Sequence, residues 1–147
     1  ALEANRGRAE GGRSGATAWI NELIWREFYR YVLIAFPRLR MGRAFKAETD
    51  RLPWRHDEDA FARWCAGRTG MPLVDAGMGE LWTTGWMHNR VRMVVASFLV
   101  KHLLIDWQAG AAWFWDTLVD ADLANNSLGW QWVAGCGDEG GPAVVES

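Results

Sequence analysis

Apolar residues in this chain return every three or four positions, and glycine or proline ends each run. That spacing is the strongest constraint on the fold, because it lines apolar side chains along one face of a helix and not of a strand. From Thr17 to Phe36, the stripe is Ile20, Ile24, Phe28, Tyr31 and Ala35, and Pro37 stops it. Asp57 can cap a short helix with Glu58 and Asp59 in its first turn, a stripe of Phe61, Trp64 and Cys65, and an end at Gly67. Pro72 suits the first turn of the next helix, which should finish near Gly85. A long helix is then expected from about Trp86 or His88 to Trp107, with Val91, Val94, Val95, Phe98, Leu99, His102 and Ile105 facing the core, until Gly110 breaks it. Ala111 to Val119 adds a further turn or two. Asp120 to Gly129 holds two Asp, two Asn, a Ser and a Gly, a loop composition. Strand alternation is absent and no internal repeat is visible, so the expectation is an all-α fold.

At 147 residues the chain suits one domain, and 50% hydrophobic content with 23% charged residues belongs to a globular protein, neither a disordered tail nor a membrane bundle. The longest apolar stretch, Val91 to Ile105, contains Arg92, Lys101 and His102 and falls short of the ~20 residues that span a bilayer. No export signal is read in the polar residues Ala1 to Ala18. Two cysteines, Cys65 and Cys136, lack the close-spaced companions of a metal site, and a cytoplasmic location is the expectation. The organisation read is a flexible leader over 1–16, a helical domain over 17–138 and a tail over 139–147. Charge is uneven: 11 basic and 6 acidic residues up to Arg55, 5 and 12 after it. Fourteen of the 16 basic residues are Arg, the side chain suited to bidentate phosphate contact, although a GC-rich genome would also favour it. Eleven tryptophans are the unusual figure, since each ring needs a pocket and each N–H a partner.

Asn89 and Arg92 lie three apart, so on a helix an amide and a fork of donors can reach one anion, although a solvated face would use the same pair. Glu22, Trp25 and Arg26 share a face of the first helix, where Glu22 and Arg26 could form an ordinary ion pair beside a core tryptophan. His88 and His102, fourteen apart, cannot share an ion, and read as helix-end or core residues. No metal site, Ser/His/Asp arrangement or P-loop is present to argue for hydrolysis or nucleotide turnover.

The ordered runs WINELIWREF (Trp19 to Phe28), GRTGMPLVDAGM (Gly67 to Met78), TGWMHNRVRM (Thr84 to Met93), KHLLIDWQAG (Lys101 to Gly110) and LVDADLANNSLGWQWVAGCG (Leu118 to Gly137) carry more than composition. In order and spacing they resemble the flavin-binding helical domain of the DNA photolyase and cryptochrome family, most closely the bacterial cyclobutane-pyrimidine-dimer photolyases. The resemblance covers roughly Trp19 to Asp138. It implies an all-α helical bundle, truncated at both ends, that holds FAD and presents an opening to DNA. Relatives carry an antenna domain and a Ser/Thr-rich diphosphate-gripping stretch upstream, and further helices downstream. Gly79 stands where they usually have Arg or a larger residue. The expectation is a piece of a catalytic domain that, as an isolated polypeptide, holds FAD weakly and repairs little.

What the resemblance implies for single residues is specific. Asn89, Arg92, Asp120, Asp122 and Asn126 match positions that line the flavin, Arg92 pairing with Asp120 and Asn126 lying opposite ring nitrogen N5. An amide there, in place of the carboxylate or thiol of many sensory cryptochromes, points to repair. Trp54, Trp107 and Trp130 match the chain of tryptophans that passes an electron to photoexcited flavin. Glu22, Trp25, Arg90 and Trp132 match contacts to the flipped dimer. The function so implied is light-driven repair of pyrimidine dimers in DNA by reduced FAD, in a protein that is monomeric at full length. A cryptochrome-type photoreceptor and an inactive remnant are the alternatives.

Overall fold

The computed structural model describes residues 15–46 and 51–136. Of the leader read over 1–16, Gly15 and Ala16 already belong to the first helix; its remainder, the tail over 139–147 and the end of the domain at 137–138 lie outside the described residues. Among the described residues there are six α-helices and no strand: α1 (Gly15–Ala35), α2 (Glu58–Cys65), α3 (Pro72–Thr84), α4 (Asn89–Ser97), α5 (Trp107–Thr117) and α6 (Leu123–Ala134). A 3₁₀ turn at Pro37–Met41 follows α1, and a π-helical turn at Phe98–His102 follows α4. No helix among the described residues is long and apolar enough to cross a membrane.

Most helix starts are written in the sequence as side-chain caps, which satisfy amides that the first turn leaves unpaired. Asp57 accepts from the Ala60 amide at 2.9 Å, Asp106 from Gln108 at 3.0 Å and Asp122 from Asn125 at 3.0 Å. His88 does the same for Arg90 through Nδ1 at 3.2 Å. Pro72 opens α3, and Gly85, in the left-handed region at φ 71°, closes it. In the first turn of α3, Asp75 accepts from the Thr69 amide and hydroxyl at 2.7 and 2.6 Å and from the Gly70 amide at 2.9 Å, which folds the α2–α3 turn back onto the helix.

Three expectations are corrected. The long helix to Trp107 is instead α4, the π turn and a reversal through Leu104, whose φ of 57° takes the chain out of helical geometry before Asp106 caps α5. The Leu104 carbonyl receives the Arg55 amide at 2.7 Å, tying the segment after Trp54 to this reversal. Gly110 breaks nothing: it lies inside α5. The polar stretch Asp120 to Gly129 is loop only as far as Asp122, after which it is helical, with Ala124, Ser127 and Leu128 buried.

The main core gathers Trp64, Met78, Leu81, Met87, Val95, Leu99, Trp107, Phe114 and Trp130. Val95, Leu99 and Ile105 face it as expected, but Val94 is exposed and Val91 sits at the margin of α4; beyond Ser97 the switch to π geometry rotates the face, leaving Phe98 at the margin and His102 exposed. The stripe of α1 is corrected as well: Ile24, Phe28, Tyr31 and Ala35 are exposed, Ile20 is half-buried, and Val32 is the buried residue. Val32 joins Leu39 and Leu128 in a small second cluster that docks α1 on α6. Helix α6 also packs on α4 and α5, α3 on α4 and α2 on α3. Gln131, fully buried in α6, accepts from the Phe45 amide at 2.7 Å and holds the segment after the 3₁₀ turn.

Candidate functional site

Three elements converge on one cleft: the first turn of α4 brings Asn89 and Arg92, the link after α5 brings Leu118 and Asp120, and α6 brings Asp122, Asn125, Asn126, Gly129, Trp130 and Val133. Met93, Ala96 and Phe114 supply apolar wall, and the cleft encloses about 150 Å³. Arg92 is fixed from two sides, its Nη2 donating to Asp120 Oδ2 at 2.9 Å and its Nε to the Met87 carbonyl at 2.7 Å. Both partners of this ion pair reach solvent, so it contributes little stability, on the order of 1 kcal/mol or less; its effect is to hold the guanidinium and carboxylate at the rim in a set orientation.

Asn126 donates through Nδ2 to the Ala111 carbonyl at 2.8 Å, which leaves Oδ1 as an acceptor with no donor among the described residues. Asp122 has its carboxylate more fully engaged, since Oδ1 takes both the amide and Nδ2 of Asn125 at 3.0 Å and Oδ2 faces Arg30 Nη2 of α1 at 3.5 Å. A fixed guanidinium, amide groups and carboxylates on one margin, with apolar and aromatic wall on the others, fit a flat heteroaromatic ring that has one polar edge.

A second groove lies against the first. Glu22 and Trp25 of α1 face Trp132 of α6 across it, with Phe28, Tyr29 and Asn89 nearby. Asn89, Met93, Asn125, Gly129 and Val133 line both spaces and so form a shared wall. Trp25 and Trp132 are each 46% exposed and offer ring surface to the groove. Glu22 does not pair with Arg26, which is bound to Glu27 at 3.0 Å. Arg90 is exposed in the first turn of α4 and lines neither space.

Trp107 and Trp130 are buried in the main core, and Trp54 packs half-buried against it. None of these three rings is in ring contact with another among the described residues; those of Trp130 are with Phe114 at 5.0 Å and Trp64 at 6.1 Å. His88 caps α4, whereas His102 is exposed and stacks on Phe98 at 5.5 Å. No group of three metal-ligating side chains occurs among the described residues. Burial pushes the Cys65 thiol up to about 11, against a hydrogen bond to its own backbone that lowers it, so this thiol is no nucleophile near neutrality.

Sequence reasoning missed Met93 of α4 and also Asn125, Gly129 and Val133, which stand four apart along α6 and make its share of the wall. The signal was present as an i, i+4, i+8 spacing, but it has meaning only once the segment is helical. A Cβ at Gly129 would meet nothing within 4 Å, so the missing side chain leaves the wall low where the two spaces adjoin.

Residues 19–145 match the family model described as the FAD binding domain of DNA photolyase. The chain is 55% identical over 121 residues to a deoxyribodipyrimidine photo-lyase of Agrobacterium fabrum, covering 82% of this chain and 25% of that protein. It is 48% identical over 124 residues to cryptochrome-2 of Arabidopsis thaliana, covering 84% of this chain and 20% of that protein. The crystal structure of a bacterial class III photolyase from Agrobacterium tumefaciens superposes with a TM-score of 0.82 at 50% identity, over 95% of this chain and 29% of that one. The chain thus spans a fifth to three tenths of the length of these relatives. Sequence and helical fold agree: the chain belongs to the family of FAD-binding domains of DNA photolyases.

Proposed function

We propose that this domain serves light-driven repair of cyclobutane pyrimidine dimers in DNA, with FAD in the cleft and the flipped dimer in the groove. The observation that carries this reading is the shared wall of Asn89, Met93, Asn125, Gly129 and Val133. It would keep an electron donor and an electron acceptor on opposite sides of a single layer of side chains. Bound FAD, when reduced, would supply on blue-light absorption the electron that splits the dimer and receive it back afterwards, with no net redox change.

The residues of the chain then have separable tasks. Arg92, held by Asp120 and the Met87 carbonyl, presents donors to the polar edge of the ring. Asn126 Oδ1, left available because Nδ2 is held by the Ala111 carbonyl, would accept from the proton on ring nitrogen N5. Asn89 and Asp122 complete the margin, and Phe114, Leu118 and Val133 keep water off the faces. In the groove Trp25 and Trp132 stack the two bases and Glu22 accepts from their edges, each stacked base contributing about 1–3 kcal/mol. A dimer is poorly stacked in the duplex and is therefore less costly to extrude than an intact base. Arg90, exposed beside the groove, takes a phosphate. Trp54, Trp107 and Trp130 recharge the flavin from the surface. We infer also a cytoplasmic enzyme that is monomeric at full length.

The likeness to cryptochrome-2 favours a second reading, a blue-light receptor. The two separate in one assay: a full-length protein carrying these residues, loaded with reduced FAD, is expected to restore dimer-containing DNA under blue light. Light-driven flavin reduction without loss of dimers would establish the receptor reading instead.

A further inference from the structure

Trp130 is held by shape alone. Its ring is 3% exposed and its indole N–H meets no acceptor among the described residues. The rings around it, Phe114 at 5.0 Å and 70° and Trp64 at 6.1 Å and 71°, meet it edge to face. Without a hydrogen bond to fix it, such a ring keeps its place only through the surfaces it rests on. One of these surfaces is Gly110, where a Cβ would overlap Cη2 of Trp130 and stand 2.6 Å from its Cζ3 and 2.7 Å from Cδ2 of Leu99. Its φ is not positive, and it lies in the interior of α5, where alanine would favour the helix more. Close approach, not backbone freedom, is what requires glycine here.

Gly110 comes one turn after Trp107, so the same face of α5 carries Trp107 and the bare patch on which Trp130 rests. Trp130 also lines the cleft. We propose that Gly110 is a positioning residue for electron transfer, setting the separation of Trp130 from Trp107 and from the flavin ring; this rests on the reading of Trp107 and Trp130 as a relay. In the relay, one electron leaves Trp107 and fills the vacancy on Trp130, whose own electron has gone to photoexcited oxidised flavin. No bond is made or broken in that step, so its rate follows the distance and angle between rings. A methyl group at position 110 displaces the ring from α5 and changes both.

The test uses the flavin-loaded, full-length protein carrying these residues, compared with its Gly110→Ala and Trp130→Phe variants. Gly110→Ala is expected to retain stoichiometric flavin and to repair dimers at the parental rate when the flavin is chemically reduced beforehand. Photoreduction of oxidised flavin under excess thiol donor is expected to slow several-fold, with a weaker transient tryptophan-radical signal, and Trp130→Phe should slow it further. A parental photoreduction rate in Gly110→Ala beside a slow Trp130→Phe overturns the assignment of Gly110 while leaving the relay intact. A parental rate in Trp130→Phe overturns the relay, and the inference with it. Should Gly110→Ala fail to fold, Gly110→Ala/Trp130→Phe decides. A folded, flavin-binding double variant supports the assignment because the smaller ring gives way to the added methyl; an unfolded one beside a folded Gly110→Ala/Leu99→Ala variant overturns it by placing the conflict at Leu99.

Discussion

Helices α1 and α6 face each other across the groove and are opposites in how their sequences map onto their surroundings. Helix α1 has 21 residues and a clear apolar period, yet buries Val32 alone, while Trp19, Tyr31 and Ile34 stand 64–68% exposed. Helix α6 has 12 residues and opens in a polar stretch that reads as a loop, yet buries Ala124, Ser127, Leu128, Trp130, Gln131 and Val133. Periodicity reports that a helix has a face to hide; it does not report what hides it. Burial depends on how many neighbours surround the helix, and α6 has α1, α4 and α5 against it. The polar residues of α6 are therefore not solvent-facing filler: Asn125 and Asn126 point into a cleft and Gln131 into the interior.

The contrast should be largest in stability. Trp130→Ala is expected to cost about 3–5 kcal/mol, as for a large aromatic removed from a packed core. Tyr31→Ala, on the exposed face of α1, should stay within about 0.5 kcal/mol. Denaturant unfolding of both variants is the check, and comparable losses would mean that the α1 face is buried in solution. An intermediate effect is expected at Gln131→Leu. The substitution leaves the Phe45 amide without its acceptor in a partly buried place, at a cost of about 1 kcal/mol, the lower end for an unsatisfied donor. Hydrogen exchange at the Phe45 amide should rise in parallel.

How much of this was legible beforehand divides along the same line. The cap at Asp57, the first-turn Pro72, the stop at Gly85 and the all-helical composition were readable, because each is a local rule satisfied within a few residues. The break after Ser97 was not, since nothing in VVASFLVKHLLID announces π geometry or a left-handed Leu104; only packing around Leu99 and Ile105 decides it. Gly110 was misread for the same reason, as a local helix breaker when its cause is the ring of a residue twenty positions later. The Arg92–Asp120 pair came from resemblance, and the short distance between them follows from how α4 meets the link between α5 and α6. Arg90 shows the converse: it matches the family pattern but stands outside both spaces among the described residues.

The smallest effect lies away from both helices, at Cys65 in α2. Its thiol is raised from 9.0 to about 11 by burial, so the unfolded chain ionises first as pH rises. Above 9.0 the unfolded state therefore binds fewer protons than the folded one, and stability falls with pH until about 11, where the difference closes. Cys65→Ala should flatten that alkaline limb without moving the neutral plateau, and thiol labelling of the parent should stay slow at neutral pH. An unchanged limb in Cys65→Ala would assign the alkaline loss to other groups.

If the cleft and the groove are two sites sharing one wall, substitutions on either side of that wall separate flavin retention from lesion binding. In a full-length protein carrying these residues, flavin content and affinity for dimer-containing and undamaged DNA would be measured for Asp120→Ala and Trp132→Ala. Asp120→Ala, which frees the Arg92 guanidinium at the cleft rim, is expected to lose most of its flavin. Trp132→Ala should keep parental flavin and lose about 1–3 kcal/mol of binding to dimer-containing DNA, with undamaged DNA nearly unaffected. Equal losses on both DNAs for Trp132→Ala, or parental flavin content in Asp120→Ala, would contradict the assignment of the two spaces.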